Sequence, residues 1–239
     1  MQTLTRDETT PGTKWAFDDS VAAAFDDMLA RSIPQYEVMR QTCFDLATRY
    51  AQRNTAIVDL GCSRGEAMAA LLDKFGVNNH FVGVEVSDAM LDAARSRFRG
   101  LIDAGVVEIR KLDLRSDYPQ VAASVTLCVL TLQFTPIEYR LRIMQDIYDH
   151  TVEGGALLLV EKVLGSGAKI DRTMVDLYYR LKADNGYSEE QIERKRLSLE
   201  GVLVPMTARW NEELLSMVGF RHVDCFWRWL NFAGWIALR

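Results

Sequence analysis

The sequence predicts an α/β fold built on a doubly wound, mostly parallel sheet. First, short apolar runs alternate with longer segments of helical periodicity over most of the chain. Second, in the stretch Ile57–Gly65 an apolar run meets a turn at Gly61, and an alanine-rich segment follows. Third, acidic residues follow successive apolar runs, as they do where a ligand binds beyond the carboxyl ends of parallel strands. Together these features predict a single domain over residues 15–239.

The first part of the chain predicts a tail and two helices. Residues 1–14 are polar and rich in Thr, and we expect them to form a mobile tail. Apolar residues at helical spacing predict one helix over 21–29 and a second that ends near Tyr50. The segment Ser32–Tyr36 separates the two helices, because the residue before Pro34 avoids helical backbone angles.

Five apolar runs predict the strands of the parallel sheet, and helical patterns lie between them. The predicted strands are residues 56–60, 81–85, 107–112, 124–130 and 156–161. The predicted helices are residues 65–75, about 87–98 and 138–149. Ser87 is typical of an N-cap, and Gly154-Gly155 predicts a turn into the fifth strand.

The alternation stops after the fifth strand. Residues 169–203 are charged and helical in pattern, with a break at Asn185-Gly186 and a capping box that begins at Ser188. Because this block is long for a connection, we expect a helical insertion over about 166–210 that covers the site or contacts a partner. A helix and a pair of antiparallel edge strands are predicted to follow, over residues 211–218, 222–230 and 232–238.

The acidic residues at the strand ends predict a site for S-adenosylmethionine (AdoMet). Asp59 lies inside the end of the first strand, where a buried carboxylate needs a partner. Glu85 follows Gly65 by twenty residues, the spacing at which a carboxylate meets a ribose diol, and Asp113 follows the third strand. Gly61 lets a ligand approach the main chain. Acidic groups after three strands suit a ribose, an adenine and a cationic tail, whereas a dinucleotide favours the full G-x-G-x-x-G motif, which this sequence lacks.

Composition limits the classes of function. The 239 residues are 49% apolar and carry a net charge of −5, which predicts a globular protein without a broad nucleic-acid surface. The four cysteines have no C-x-x-C spacing, so we expect reduced thiols. No run of about 18 apolar residues and no secretory signal is present, and we expect a cytoplasmic protein that does not enter a membrane. The three histidines show no metal-ligand spacing, so no metal site is expected.

Short motifs recur along the chain in a distinctive order. They are Trp-x-Phe-Asp from Trp15, Arg31–Tyr36, Asp59–Ser63, Leu130–Phe134, Glu161-Lys162, Asn185–Ser188, Lys195-Arg196 and Leu230–Phe232. In this order they resemble the carboxy-S-adenosylmethionine synthases of the tRNA wobble-uridine oxyacetate pathway. The resemblance spans about residues 15–239. It implies a Rossmann-like class I methyltransferase fold and a homodimer that converts AdoMet and prephenate to carboxy-AdoMet and phenylpyruvate.

The resemblance also implies the residues of the site. Tyr36, Gly61, Glu85 and Asp113 match AdoMet contacts of the family, and Arg196 matches the arginine that holds the added carboxylate. The predicted site for AdoMet or carboxy-AdoMet comprises Tyr36, Asp59, Gly61, Cys62, Ser63, Glu85, Val86, Asp113, Leu114 and Val129, and the predicted catalytic residues are Arg196 and Tyr36. The chain departs from the family at Glu85, where the family has aspartate, and at Val86 and Val129, where it has asparagine.

Three functions remain open from the sequence. The favoured one is carboxy-AdoMet synthesis, in which an arginine fork recognises a carboxylate. The second is methyl transfer to a small molecule or to tRNA, since Val86 and Val129 remove polar ligand contacts; the negative net charge disfavours tRNA unless a partner supplies a basic surface. The third is an AdoMet-binding partner subunit without turnover, since no catalytic base is evident and the insertion is long.

Overall fold

The chain folds as an α/β sandwich, as the computed structural model of residues 5–8 and 14–239 shows. The strands are β1 (Ala56–Leu60), β2 (His80–Glu85), β3 (Val107–Lys111), β4 (Ala123–Val129), β5 (Thr151–Leu164), β6 (Met206–Thr207), β7 (His222–Trp229) and β8 (Phe232–Leu238). The α-helices are α1 (Asp19–Ala23), α2 (Phe25–Ser32), α3 (Tyr36–Tyr50), α4 (Glu66–Phe75), α5 (Asp88–Asp103), α6 (Ile137–His150), α7 (Ala168–Asp184), α8 (Glu189–Leu199) and α9 (Ala208–Met217).

The strand order of the sheet is β3-β2-β1-β4-β5-β8-β7, and the short β6 pairs with β5. Strands β1 to β5 pair in parallel, which confirms the predicted doubly wound sheet. The chain runs from β1 outward to β3 and then returns to the other side of β1 as β4. This reversal leaves a crevice between β1 and β4 at the carboxyl ends of the strands, the position where such sheets bind ligands.

The predicted pair of edge strands needs a correction. Strand β8 lies between β5 and β7 and pairs antiparallel with both, so only β7 is an edge strand. All but one of the side chains of β8 are buried, as is typical of a strand that is covered on both faces. The two strands therefore extend the parallel sheet beyond β5, with β8 as an inner strand and β7 as the edge strand.

Strand β5 also begins earlier than predicted. The sequence predicts a turn at Gly154-Gly155 before the strand, but both residues lie inside it, and Gly154 has a φ of +72°. Thr151 pairs with Ala123 of β4, and a register shift follows before Ala156 resumes regular pairing. Tertiary pairing with β4 thus extends the strand through a local irregularity at the glycines.

Helices cover both faces of the sheet and form two core clusters. On one face Met39 of α3 and Met68 of α4 pack with Ile57 of β1. On the other face Ile147 of α6 packs with Val58 of β1, together with residues of α9. Successive residues of a strand point to opposite faces, so Asp59 shares the face of Ile57.

The amino-terminal segment differs in part from the predicted mobile tail. Residues 1–4 and 9–13 lie outside the described residues, whereas Asp7 is 2% exposed. The Asp7 carboxylate accepts hydrogen bonds from the hydroxyl of Tyr187 and from Nζ of Lys195, the latter at 3.2 Å. Asp7 therefore packs against the helical insertion, because these polar partners compensate a buried carboxylate.

The insertion consists of α7 and α8 followed by β6. The helices meet at Asn185-Gly186, as predicted, and the capping box forms. In it, Oγ of Ser188 accepts from the amide of Gln191 at 3.2 Å, and Oε1 of Gln191 accepts from the amide of Ser188 at 2.9 Å. None of the helices within residues 5–8 and 14–239 is long and apolar enough to cross a membrane.

Candidate active site

A cavity of about 490 Å³ opens at the carboxyl ends of the parallel strands. All ten predicted AdoMet residues line it, namely Tyr36, Asp59, Gly61, Cys62, Ser63, Glu85, Val86, Asp113, Leu114 and Val129. They come from the ends of four strands and from the first turn of α3. The structure therefore brings this set together in one wall, while the role of each residue in AdoMet binding stays a prediction.

The turn after β1 requires glycine at position 61. Gly61 has a φ of +73°, and a Cβ atom there would collide with the side chain of Thr131. The amides of Gly61 and Cys62 both donate to the carbonyl of Val84 at 2.9 Å. Because these two donors tie the turn to β2, the turn gives the cavity its shape but does not offer those amides to a ligand.

Asp59 is a buried carboxylate in the cavity wall. Its side chain is 4% exposed and accepts no hydrogen bond from the described residues. Burial raises the pKa of Asp59 to about 7, and the nearby Arg40 acts in the opposite direction. A carboxylate in this state gains free energy when a cationic group of a ligand enters the cavity.

Glu85 joins the ends of β1 and β2. Its Oε2 accepts from the amide of Ser63 at 3.1 Å, and its Oε1 accepts from the amides of Val86 and Ser87 at 2.7 and 3.0 Å. Ser63 has a φ of +49°, so this carboxylate supports a turn that the side chain of Ser63 disfavours. Glu85 is thus held in a fixed position at the edge of the cavity, where its oxygens can also meet hydroxyl groups.

Asp113 lies beside Arg115, and its carboxylate is engaged on both oxygens. The Arg115 side chain donates to Oδ2 at 2.9 Å from Nε and at 2.6 Å from Nη2, and Nε also donates to Oδ1 at 3.0 Å. These hydrogen bonds lower the pKa of Asp113. The neighbouring Leu114 is buried, while Val86 is 56% exposed at the cavity rim. The rim that these residues form therefore combines an ionised carboxylate with apolar surface.

Tyr36 begins α3 and lies half-buried in the cavity wall. The preceding residue, Gln35, has a left-handed φ of +49°, which sets the entry of the chain into α3. Burial raises the pKa of Tyr36 to about 12. The phenol is therefore neutral at physiological pH and available as a hydrogen-bond donor.

Arg196 does not lie in the cavity of its own chain. Its side chain is 39% exposed on α8, and Nε and Nη2 each donate to Glu193 at 2.8 Å. The preceding residue, Lys195, lines the cavity instead. Consecutive helical residues point about 100° apart, so the two side chains cannot face the same space. The predicted role of Arg196 stays a prediction.

Several basic residues of the cavity are not identified by the sequence analysis. They are Arg40 of α3, Lys162 of β5, Lys182 of α7 and Lys195 of α8. Lys162 follows the buried Glu161 near the carboxyl end of a parallel strand, and that position could have identified it. The lysines of the insertion give no such signal, since charged helical segments usually face solvent.

The described residues offer no evidence of a metal or disulfide site. No group of three or more His, Cys, Asp and Glu side chains within 5–8 and 14–239 is arranged to hold a metal ion. All four cysteines are free thiols, of which Cys225 is exposed. The charged groups that line the cavity are carboxylates, ammonium groups and guanidinium groups.

Comparison with known proteins extends over nearly the whole chain. Residues 57–155 match the methyltransferase domain family. The chain is 41% identical over 226 residues to the carboxy-S-adenosyl-L-methionine synthase of Methylococcus capsulatus, a match that covers 94% of this chain and 93% of that protein. It is 37% identical over 226 residues to the synthase of the same name from Wolinella succinogenes, with coverage of 94% and 93%.

Solved structures show the same fold at low sequence identity. Human N-acetylserotonin methyltransferase in complex with SAM has a TM-score of 0.59 and 14% identity, over 92% of this chain and 55% of that one. PigF with SAH has a TM-score of 0.62 and 14% identity, over 96% of this chain and 63% of that one. This chain thus spans little more than half the length of the first of these structures.

These comparisons confirm the fold predicted from the sequence. They also confirm the predicted class of enzyme, an AdoMet-dependent transferase with a methyltransferase fold. The two relatives, at 41% and 37% identity, have the same name, and each match covers 94% of this chain. The chain therefore belongs to the carboxy-S-adenosyl-L-methionine synthase family.

Proposed function

We propose that this protein forms carboxy-AdoMet from AdoMet and prephenate, with release of phenylpyruvate and water, in the cytoplasm and for tRNA wobble-uridine modification. The observation that carries the proposal is the convergence of all ten predicted AdoMet residues on one cavity of a chain that matches the synthases over 94% of its length. The volume of the cavity, about 490 Å³, lies within the range of small-molecule sites, about 300–1,000 Å³.

The residues of the chain supply binding and orientation. Asp59 attracts the cationic part of AdoMet, and Glu85 accepts hydrogen bonds from the ribose hydroxyls. Asp113 and the apolar rim at Val86 and Leu114 hold the adenine end. Prephenate loses a carboxyl group as CO2 and its ring hydroxyl group as hydroxide, which leaves phenylpyruvate. The methyl group of AdoMet, made acidic by the sulfonium, gives a proton to the hydroxide to form water, and its carbon bonds to the CO2. The protein therefore mainly aligns the two molecules and excludes bulk water.

Arg196 fits this scheme if the protein is a homodimer in which each chain supplies the arginine to the cavity of the other. Its guanidinium is exposed on α8 and faces away from its own cavity. Large apolar side chains on α7 and α8 are also exposed, including Ile170 at 51% and Leu197 at 48%. Such side chains favour association with a second copy, and the guanidinium would then meet the carboxylate formed there.

The reaction is tested by incubating the purified protein with AdoMet and prephenate and analysing the mixture by mass spectrometry. We expect carboxy-AdoMet and phenylpyruvate in equal amounts. Methyl transfer to a component of a cell extract, with prephenate left unchanged, would instead establish a methyltransferase. The apolar Val86 and Val129 in the cavity wall favour that second function. Retention of unchanged AdoMet in a stable complex with another chain would identify a binding subunit.

The role of Arg196 gives the first specific prediction. Arg196→Ala should leave the affinity for AdoMet nearly unchanged and weaken carboxy-AdoMet binding by about 2–5 kcal/mol, the range for removing one partner of a buried charge pair. Arg196→Lys should restore the affinity only in part, because an ammonium cannot make a two-pronged contact. Calorimetry with both ligands measures these changes.

The matched control for this experiment is Arg194→Ala, on the same exposed helix. Arg194 pairs with Glu190 one turn earlier and does not line the cavity. Arg194→Ala should leave the affinities for AdoMet and for carboxy-AdoMet unchanged. If Arg196→Ala weakens AdoMet and carboxy-AdoMet equally, Arg196 does not recognise the added carboxylate. Sedimentation of the wild-type protein as a monomer would exclude the proposed exchange of arginines between chains.

A further inference from the structure

Two lysines in the cavity wall lack an anionic hydrogen-bond partner. Lys195 donates to Asp7 at 3.2 Å and is compensated by it. Lys162, from β5, and Lys182, from the last turn of α7, line the same cavity. Among the residues that the structure describes, neither of their ammonium groups has a hydrogen-bond acceptor, although Lys182 is only 4% exposed.

Both ammonium groups contact the same aromatic ring. Nζ of Lys162 lies 4.7 Å from the centroid of the Tyr178 ring, and Nζ of Lys182 lies 5.8 Å from it. Lys182 also lies 5.0 Å from the centroid of Tyr187. Aromatic faces attract cations but replace the lost hydration only in part. Two positive charges that share one ring also repel each other, so an anion between them would be favoured by both.

The charged residues near Lys162 and Lys182 do not supply the anion that these two ammonium groups lack. Burial lowers the pKa of Lys162 to about 8 and that of Lys182 to about 7, and the nearby lysines lower the latter further. Asp171 acts in the opposite direction on Lys162, but its Oδ1 accepts from the amide of Gly165 at 2.7 Å. Asp7 acts in the opposite direction on Lys182, but it already bonds Lys195 and Tyr187. An anionic group of a ligand could therefore compensate the positive charges of Lys162 and Lys182.

The lysine pair lies apart from the predicted AdoMet residues. Asp59 aligns with Leu127 of β4, which aligns with Leu158 of β5, and Lys162 is four residues further along that strand. Strand geometry places the Cα atoms of Asp59 and Lys162 about 10 Å apart across the sheet and about 13 Å apart along it. The acidic residues occupy the side of β1 to β3, and the lysines occupy the side of β5 and the insertion. Arg40, which acts electrostatically on Asp59, supplies a separate cation on that side of the cavity.

We propose that Lys162 and Lys182 together bind a carboxylate of the second substrate, the molecule that gives its carboxyl group to AdoMet. This inference rests on the proposed function and assigns residues to its second substrate. Asp7 compensates the charge of Lys195 in the same wall, which leaves the ammonium groups of Lys162 and Lys182 for the ligand. The cavity thus has an acidic half that suits a sulfonium and a basic half that suits an acid.

The test compares Lys162→Met and Lys182→Met with the wild type in prephenate binding, by calorimetry in the presence of S-adenosylhomocysteine, and in the KM for prephenate. Each variant should bind prephenate at least about 30-fold more weakly, as expected when one partner of a buried charge pair is removed. The affinity for AdoMet should stay near the wild-type value. Lys162→Arg should retain part of the prephenate affinity. Lys74→Met, on the exposed end of α4 and outside the cavity, should leave every measurement unchanged.

Thermal unfolding distinguishes ligand binding from a structural role. Ligand-free Lys182→Met should melt at the same temperature as the wild type or higher, because the change removes a buried charge that lacks a hydrogen-bonded partner. A structural lysine would instead give a less stable variant. A lower melting temperature together with unchanged prephenate affinity would overturn the inference.

The outcomes separate this inference from the proposed function. If the wild type forms carboxy-AdoMet but both methionine variants keep its prephenate affinity and KM, the lysine site is wrong and the proposed function stands. If the wild type forms no carboxy-AdoMet but binds prephenate in a way that depends on both lysines, the site is right and the proposed function is wrong. A wild type that binds no prephenate contradicts both.

Discussion

Burial of the Asp59 carboxyl group lowers the free energy of unfolding. Burial raises its pKa from the ordinary value of 3.8 to about 7. Between these two values the folded chain holds a proton that the unfolded chain has released. The free energy of unfolding therefore falls as the pH rises from about 4 to about 7, and the loss is complete above that range.

Asp59→Asn should remove this dependence. Asparagine stays neutral, so the ligand-free variant should melt at a higher temperature than the wild type at about pH 8, and the difference should shrink at about pH 5. Asp73→Asn, at an exposed position of α4, serves as the matched surface control. Differential scanning calorimetry at both pH values measures this. An Asp59→Asn variant less stable than the wild type at both values would contradict the role of burial.

Glu85 accepts hydrogen bonds from three backbone amides and is predicted to bind the ribose of AdoMet. Glu85→Ala should weaken AdoMet binding by about 1–3 kcal/mol, the range for a charged hydrogen-bond acceptor. It should also lower the melting temperature, because the amides of Ser63, Val86 and Ser87 lose their acceptor. Glu85→Gln keeps one acceptor oxygen. Its affinity for AdoMet, measured by calorimetry, should therefore lie between those of the wild type and Glu85→Ala. Wild-type affinity in Glu85→Ala would exclude a contact between Glu85 and the ribose.

At the scale of elements, the turn between β1 and α4 depends on backbone conformation. Gly61→Ala should lower the free energy of unfolding by about 1–3 kcal/mol, since a left-handed φ is disfavoured for alanine and the methyl group would meet Thr131. Gly100→Ala is the matched control, because Gly100 lies in α5 and an added methyl group there would meet only open space. It should raise the stability by about 0.5–1 kcal/mol through helix propensity. Equal effects of both substitutions on urea unfolding would contradict this account of the turn.

Elements whose apolar pattern agrees with their tertiary environment were predictable. The runs that form β1, β2 and β4 are apolar because helices cover both faces, and their predicted bounds differ from the observed ones by one residue at most. The early start of β5 was not predictable, because pairing of Thr151 with Ala123 overrides the turn preference of two glycines. The two-residue β6 has no sequence pattern of its own and exists because β5 offers an edge beyond β4.

At the scale of the whole molecule, the amino-terminal segment contacts α8 beside the cavity, although the two are remote in the sequence. Asp7 and Lys195, 188 positions apart, form a pair that is 2% and 9% exposed at the side chains. Asp7→Asn should therefore lower the free energy of unfolding by about 3–5 kcal/mol, because it leaves a buried ammonium without its carboxylate. Combination with Lys195→Met should recover much of this loss. Urea unfolding of the single and double variants measures it, and additive losses would contradict direct pairing.

The half of the site built on strand ends was predictable from the sequence. Asp59 and Glu85 end strands that are recognisable by themselves, and parallel strands bring their carboxyl ends together. Lys182 was not predictable, because its burial depends on how α7 packs on β5 through Tyr178, and a lysine in a charged helix is exposed by default. The exposed position of Arg196 outside its own cavity was not predictable either, because it depends on which face of α8 packs against the rest of the chain.

The interior position of β8 has a consequence for synthesis of the protein on the ribosome. Strand β8 follows both β5 and β7 in the chain but pairs between them. Until β8 has left the ribosome, the nascent chain exposes the unpaired edge of β5, whose residues 156–160 are all buried in the finished fold. Such an open apolar edge invites pairing with other chains. Folding of the sheet is thus completed only after translation has passed β8, and a chaperone that shields the β5 edge would act in that interval.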